Sequence, residues 1–192
     1  MHLLVLLWAL LAAPFWEAKT PRDWTDRELI EMLSSSPWAR PATAEGIVRL
    51  PGVQTYLASA LPMQEAEAEA IRRGRMILSP ESEDFRQFLK KRTDESIVLT
   101  VAFPDPDKLA DGKEAKRMEE ECVMKVGRKK YKITGHFPPA PSDPYLRLVF
   151  PRAAGLGDKV IEFDLYLPGA SPPYRTVEYV MKELIYRGKP EF

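Results

Sequence analysis

From Ser96 onward the apolar residues recur at every second position, a period that β-strands satisfy and helices do not. In "SIVLTVAF" it sets Ile97, Leu99, Val101 and Phe103 on one face and Val98 on the other. In "DKVIEFDLYLP" it sets Ile161, Phe163 and Leu165 together. "CVMKV" and "KKYKI", joined by Gly127-Arg128, read as a β-hairpin. "YLRLVFPR", "DKVIEFDLYLP" and "YRTVEYVMKELIYRGK" supply three further strands. The glycines of "AAGLGDK", 153–159, mark a turn between two of them. Short strands separated by turns predict an antiparallel β-sandwich, Ig-like or similar. Eighteen prolines, many lying between apolar runs, fit the same loop-rich architecture.

Before Ser96 the signals are helical. Trp24-Thr25-Asp26-Arg27-Glu28-Leu29 is a complete helix start. Thr25 is the N-cap, Glu28 closes a capping box, and Trp24 and Leu29 hold the two positions of a hydrophobic staple. Leu29, Ile30, Met32 and Leu33 form the apolar face, and Ser34-Ser35-Ser36-Pro37 ends the helix. So short a helix needs a surface to dock on. Trp24, Thr25, Glu28, Leu29 and Trp38 are therefore expected as structural anchors; an aromatic clamp for a sugar or peptide is the other role open to the tryptophans.

"GIVRLPGVQTYLAS", 46–59, reads as a strand broken at Pro51-Gly52. "PMQEAEAEAIRRGRMIL" predicts a helix as far as Gly74, with Glu67 and Glu69 meeting Arg72 and Arg73 on a solvated face. "SPESEDFRQFLKKR" repeats the start signal, with Ser79 as N-cap, Pro80 at N1 and a face of Phe85, Phe88, Leu89 and Arg92. "KLADGKEAKRMEEE" is a polar, exposed crossover, helical or irregular. The chain is thus expected to be α+β, an N-terminal helical portion packed on the sandwich. Its parts are a signal peptide at 1–13, an arm at 14–45 and a single domain at 46–192.

The uninterrupted apolar run Leu3–Ala13 is too short to cross a bilayer as a helix, which takes about 20 residues. It suits the h-region of a secretory signal, with Ala12-Ala13 as small residues for cleavage, and predicts export to the periplasm or beyond. The n-region lacks Lys and Arg, and a buried N-terminal element is the competing reading. Lys plus Arg and Asp plus Glu are equal at 28 each, so the basic excess of a nucleic-acid binder is missing. The single cysteine, Cys122, excludes an intramolecular disulfide.

The pattern "W-T-D-R-E-L…S-P-W-A-R", with Ser59-Ala60-Leu61-Pro62, Phe150-Pro151-Arg152 and a closing "M-K-E-L-I-Y-R-G-K", resembles a group of uncharacterised bacterial exported proteins. The resemblance touches both ends of the chain and a few points between. It implies export and brings no activity or ligand with it.

Catalytic signals are sparse. His136 is the one histidine outside the leader, in "TGHFPP", a strand exit into a polyproline loop. There is no G-x-S-x-G, Walker A or G-x-G-x-x-G, so no cofactor or metal is expected. Cys122 follows Glu119-Glu120-Glu121, whose charge disfavours a reactive thiolate. The one concentrated charge feature is the hairpin residues Arg128, Lys129, Lys130, Tyr131 and Lys132. They are a candidate surface for a protein or polysaccharide partner, or a lysine-guarded sheet edge. The expectation is an exported, non-catalytic binding or structural module. The alternative is a hydrolase using Asp or Glu carboxylates in the cleft between helices and sheet.

Overall fold

The computed structural model describes residues 13–44, 51–103, 105–109, 111–152 and 160–192. Apart from Ala13, the signal segment lies outside these residues, as do 46–50 of the broken strand and the turn at 153–159. The elements in chain order are α1 (Phe15–Ala18), α2 (Asp26–Ser35), β1 (Ala39–Ala42), β2 (Val53–Leu57), α3 (Leu61–Arg72), α4 (Pro80–Arg92) and β3 (Ser96–Ala102). Then follow α5 (Gly112–Glu121), β4 (Val123–Val126), β5 (Lys129–Lys132), β6 (Gly135–Phe137), β7 (Tyr145–Pro151), β8 (Val160–Tyr166) and β9 (Tyr174–Val180). A small hairpin, β10 (Ile185–Tyr186) and β11 (Lys189–Pro190), ends the chain. The fold is α+β, and all its strand pairings are antiparallel.

One sheet runs β1-β2-β3-β7-β6 and a second runs β5-β4-β8-β9. Alternation decides what each face meets. From the first sheet, Phe150 packs its ring 5.2 Å from that of Phe163 in the second, and the Tyr179 hydroxyl donates to that of Thr55 at 2.9 Å. Thr55 spends its own proton on the Arg40 carbonyl at 2.7 Å. The other face of the first sheet is covered by α3 and α4. There Phe85 and Phe88 each place a ring 5.3 Å from Phe137. β3 and β7 are consequently buried on both sides, and they read as near-continuous apolar runs. Among the described residues the second sheet packs on one face.

The sheets are stitched at two corners. Thr43 and Thr176 exchange backbone hydrogen bonds of 2.9 and 2.8 Å, linking the end of β1 to β9. At the other corner β5 runs directly into β6, changing sheets where the Thr134 N–H donates to the Val149 carbonyl at 2.8 Å.

The N-terminal arm is fastened by its aromatic residues. Thr25 and Glu28 form the capping box: the Thr25 N–H donates to Glu28 Oε2 at 2.7 Å and the Glu28 N–H to Thr25 Oγ1 at 3.2 Å. The Lys19 ammonium, then the Thr25 backbone, hold the Glu28 carboxyl down at about 2. Trp24 is buried edge-to-face against Phe15. Trp38 is fully buried, edge-to-face with both Trp16 and Tyr186, and its indole N–H donates to the Glu191 carbonyl at 2.6 Å. One indole thus joins the arm to the C-terminal segment.

Several expectations change. β1 lies in "ARPA", which carries no strand signal, and it pairs with β2 across the 45/46 boundary, so the arm supplies part of the five-stranded sheet. "YRTVEYVMKELIYRGK" is not one strand: β9 stops at Val180, a 3-10 turn follows, and the stretch then runs through β10 into β11. Ile30 points to solvent, leaving Leu29 and Met32 as the buried face of α2. The crossover is the helix α5, anchored by buried Met118. Glu67 and Glu69 are buried; only Glu69 joins Arg72 and Arg73, at 2.6 Å each, while Glu67 turns to the sheet.

Trp38→Ala removes two aromatic contacts and a buried hydrogen bond, and it should cost about 3–5 kcal/mol. Urea unfolding measures this; a loss below about 1 kcal/mol would contradict the fastening role.

Candidate functional site

Among the described residues no layer covers the outer face of the four-stranded sheet, and the strand register arranges its side chains in rows. Lys130 lies opposite Lys125, Lys125 opposite Glu162, and Glu162 opposite Glu178. In the neighbouring row Lys132, Val123, Asp164 and Thr176 align. Directly opposed side chains on one face interact, so each row works as a unit. The Lys125 ammonium sits between two carboxylates, 2.5 Å from Glu162 Oε1 and 2.6 Å from Asp164 Oδ2. Hydrogen bonds to Asp164 and then Glu162 raise its pKa.

That clamp satisfies two carboxylates and leaves Glu178 alone. Glu178 is exposed and makes no ion pair among the described residues. It also borders three adjoining hollows. A groove of about 700 Å³ over the face is lined by the carboxylates Glu121, Glu162, Asp164 and Glu178 against the cations Lys125 and Arg175. A cleft of about 710 Å³ lies between β1 and β9, and a smaller hollow of about 420 Å³ flanks Lys125 and Gly127. Within the groove, Glu121 is occupied: Arg117 Nε donates to it at 2.7 Å and the Tyr174 hydroxyl at 2.8 Å. Those two donors, Arg117 first, lower its pKa. The groove lining is acidic on balance, and Glu178 is its carboxylate without an ion pair among the described residues.

A second cluster lies between the helices and the five-stranded sheet. The Tyr56 hydroxyl donates to Glu67 Oε1 at 2.6 Å. Arg147, two positions along the same cross-strand row, donates to Asp143 at 2.7 and 3.1 Å and lays its guanidinium 4.4 Å from the Phe85 ring. Burial raises the Glu67 carboxyl above its ordinary value of 4.5. This is the carboxylate in the helix–sheet cleft that a hydrolase would need. The hollow beside it is only about 110 Å³, too small for a sugar ring. The cluster reads as an internal polar fastening between α3 and the sheet.

The remaining sequence candidates fall as follows. Lys130 and Lys132 stand on the open face, at the edge away from Glu178; Arg128 is in the hairpin turn, and Lys129 and Tyr131 share the opposite face, where Tyr131 packs against the core. His136 is on β6, its Nδ1 3.3 Å from Glu119 Oε1. Cys122 is buried with its thiol pushed up to about 12 by that burial, ahead of any effect of Glu121. No group of three His, Cys, Asp or Glu side chains suited to a metal occurs among the described residues, and no helix there is long and apolar enough to cross a membrane. Sequence reading missed Lys125 and Glu178, although both sit at the polar positions of alternating strands. Comparison with family models, curated proteins and solved structures returned no match.

The raised Glu67 carboxyl fixes a pH dependence. Between 4.5 and its folded value the native state holds a proton that the unfolded chain has released. Stability therefore falls as pH climbs through that window. Glu67→Gln, which still accepts from Tyr56, should flatten the decline and leave the variant no less stable at neutral pH. Urea unfolding across the pH range decides it; an unchanged slope would assign the dependence to other groups.

Proposed function

We propose that the chain is an exported, non-catalytic binding or structural module of the cell envelope or the exterior. In this reading the two sheets form a sandwich, and the acidic groove on the open face meets a cationic partner. The observation that carries it is Glu178, a carboxylate without an ion pair among the described residues, bordering three hollows on a face that no other described element covers. The neighbouring carboxylates and Lys125 are already committed to one another, so Glu178 is where a new ion pair can form without breaking an old one. Of the other sequence candidates, Cys122 is buried under β8, His136 is paired with Glu119, and Glu67 is held by Tyr56. Export is supported by the apolar run Leu3–Ala13 and small residues at its end.

Two measurements test the reading. Intact mass of the protein recovered from fractionated cells should show a processed, extracytoplasmic form; an unprocessed cytoplasmic product contradicts export. In an NMR titration with spermine, shifts should centre on Thr176, Glu178 and Glu162 and weaken in Glu178→Gln. Shifts scattered over the surface, or untouched by that substitution, would remove the acidic face from consideration.

A further inference from the structure

The cleft between β1 and β9 exists because a ladder that begins there cannot continue. Thr43 and Thr176 form one complete rung, with hydrogen bonds in both directions. Two residues further along the same antiparallel register, Pro41 would stand opposite Glu178. Proline has no N–H to offer the Glu178 carbonyl, so the second rung fails and the strands part. Pro41 is also held where it is: a side chain on Gly52 would meet its Cβ at 2.5 Å, so the glycine leaves room for the ring. The far end of the cleft is closed by the Arg40–Glu183 ion pair, at 2.7 Å.

The two walls differ in what they offer. On β1 the Ala39 N–H already donates to the Ser36 carbonyl at 3.0 Å, Pro41 has none, and Thr43 is paired, so that edge is blunted. On β9, backbone groups alternate in direction, and Thr176 points at β1. The N–H and C=O of Glu178 therefore point the same way, into the cleft, and take no backbone partner among the described residues. The same residue thus presents an unpaired strand edge and an unpaired carboxylate.

We infer that the β1–β9 cleft receives an extended polypeptide segment that adds to the edge of β9 and places a basic side chain beside Glu178. This rests on the acidic-face reading and names its partner. A residue directly opposite Glu178 exchanges both main-chain hydrogen bonds with it, and its side chain falls on the same, charged face. The flanking residues point to the other side, level with Val177 and Tyr179, and are apolar. A basic residue between two apolar ones is therefore the matching pattern, and main-chain pairing supplies the affinity. A second copy of the chain is a poor occupant, because β9 against β9 in this register opposes Glu178 to itself.

The probe is the pentapeptide Thr-Val-Lys-Val-Thr, acetylated and amidated, titrated into the full chain and followed by NMR, with an analogue N-methylated at the lysine as control. The Glu178 amide should shift and gain exchange protection with the first peptide. The analogue, which keeps the charge and loses a main-chain donor, should bind about tenfold more weakly. Glu178→Lys, at an exposed site and checked for unchanged melting, should abolish the response. Equal binding of both peptides overturns strand addition and leaves a purely ionic acidic face. Silence toward both peptides with a spermine response also overturns it, and silence toward spermine as well removes the face itself. Peptide-independent dimerisation in sedimentation equilibrium, lost in Glu178→Lys, would give the edge to a second copy and overturn the proposal.

Discussion

The central strands β3 and β7 have no solvent face, so polar side chains on and beside them gain most by pairing within the protein. That requirement organises the molecule. On the inner side it is met by hydroxyls on the neighbouring strands, with Tyr179 of β9 donating to Thr55 of β2 and Thr55 to the Arg40 carbonyl of β1. On the helical side it is met in part by charge, with Arg147 of β7 between Asp143 and the Phe85 ring and Glu67 under Tyr56, while Thr100 Oγ1 and Arg147 Nε take no partner among the described residues. Covering this sheet from both sides leaves the four-stranded sheet with only one packed face. The separation of a closed layer from an open, charged one follows from that single imbalance.

Local signals in the sequence are strong here, and long-range ones are weak. The capping box at Thr25 and Glu28 needs only four residues, and it forms as the spacing requires. The alternation in "VIEFDL" separates Ile161, Phe163 and Leu165 from Glu162 and Asp164, and the burial follows it. No alternation within one strand says which strand lies beside it. Lys125 meets Glu162 across 37 positions of chain, so the charge clamp was invisible until the register was known. The same holds for Glu67: its helix looks solvated from i,i+4 pairing alone, and only the position of Tyr56 on the sheet turns it inward. β1 was illegible for another reason. "ARPA" has no β-preference, and its strand geometry is imposed by pairing with β2.

Pro41 shows how one residue can be structural and functional in different directions. Toward β2 it lies within a regular hairpin; toward β9 it ends a ladder after one rung. An edge that ordinary pairing would have sealed is thereby kept open, while the lysines of β5 guard the opposite edge of the same sheet against self-association. One edge is guarded by charge repulsion, the other left unfinished by a missing N–H.

The indole of Trp38 touches an arm residue near position 16 on one side and the carbonyl of Glu191 on the other. Both ends of the described chain therefore leave the domain at one corner. If tension were applied between them, it would peel the arm from the C-terminal segment before any of it reached the ladders of either sheet. Mechanically the two ends form a clasp, and the folded body behind it hangs from one point rather than being stretched between two.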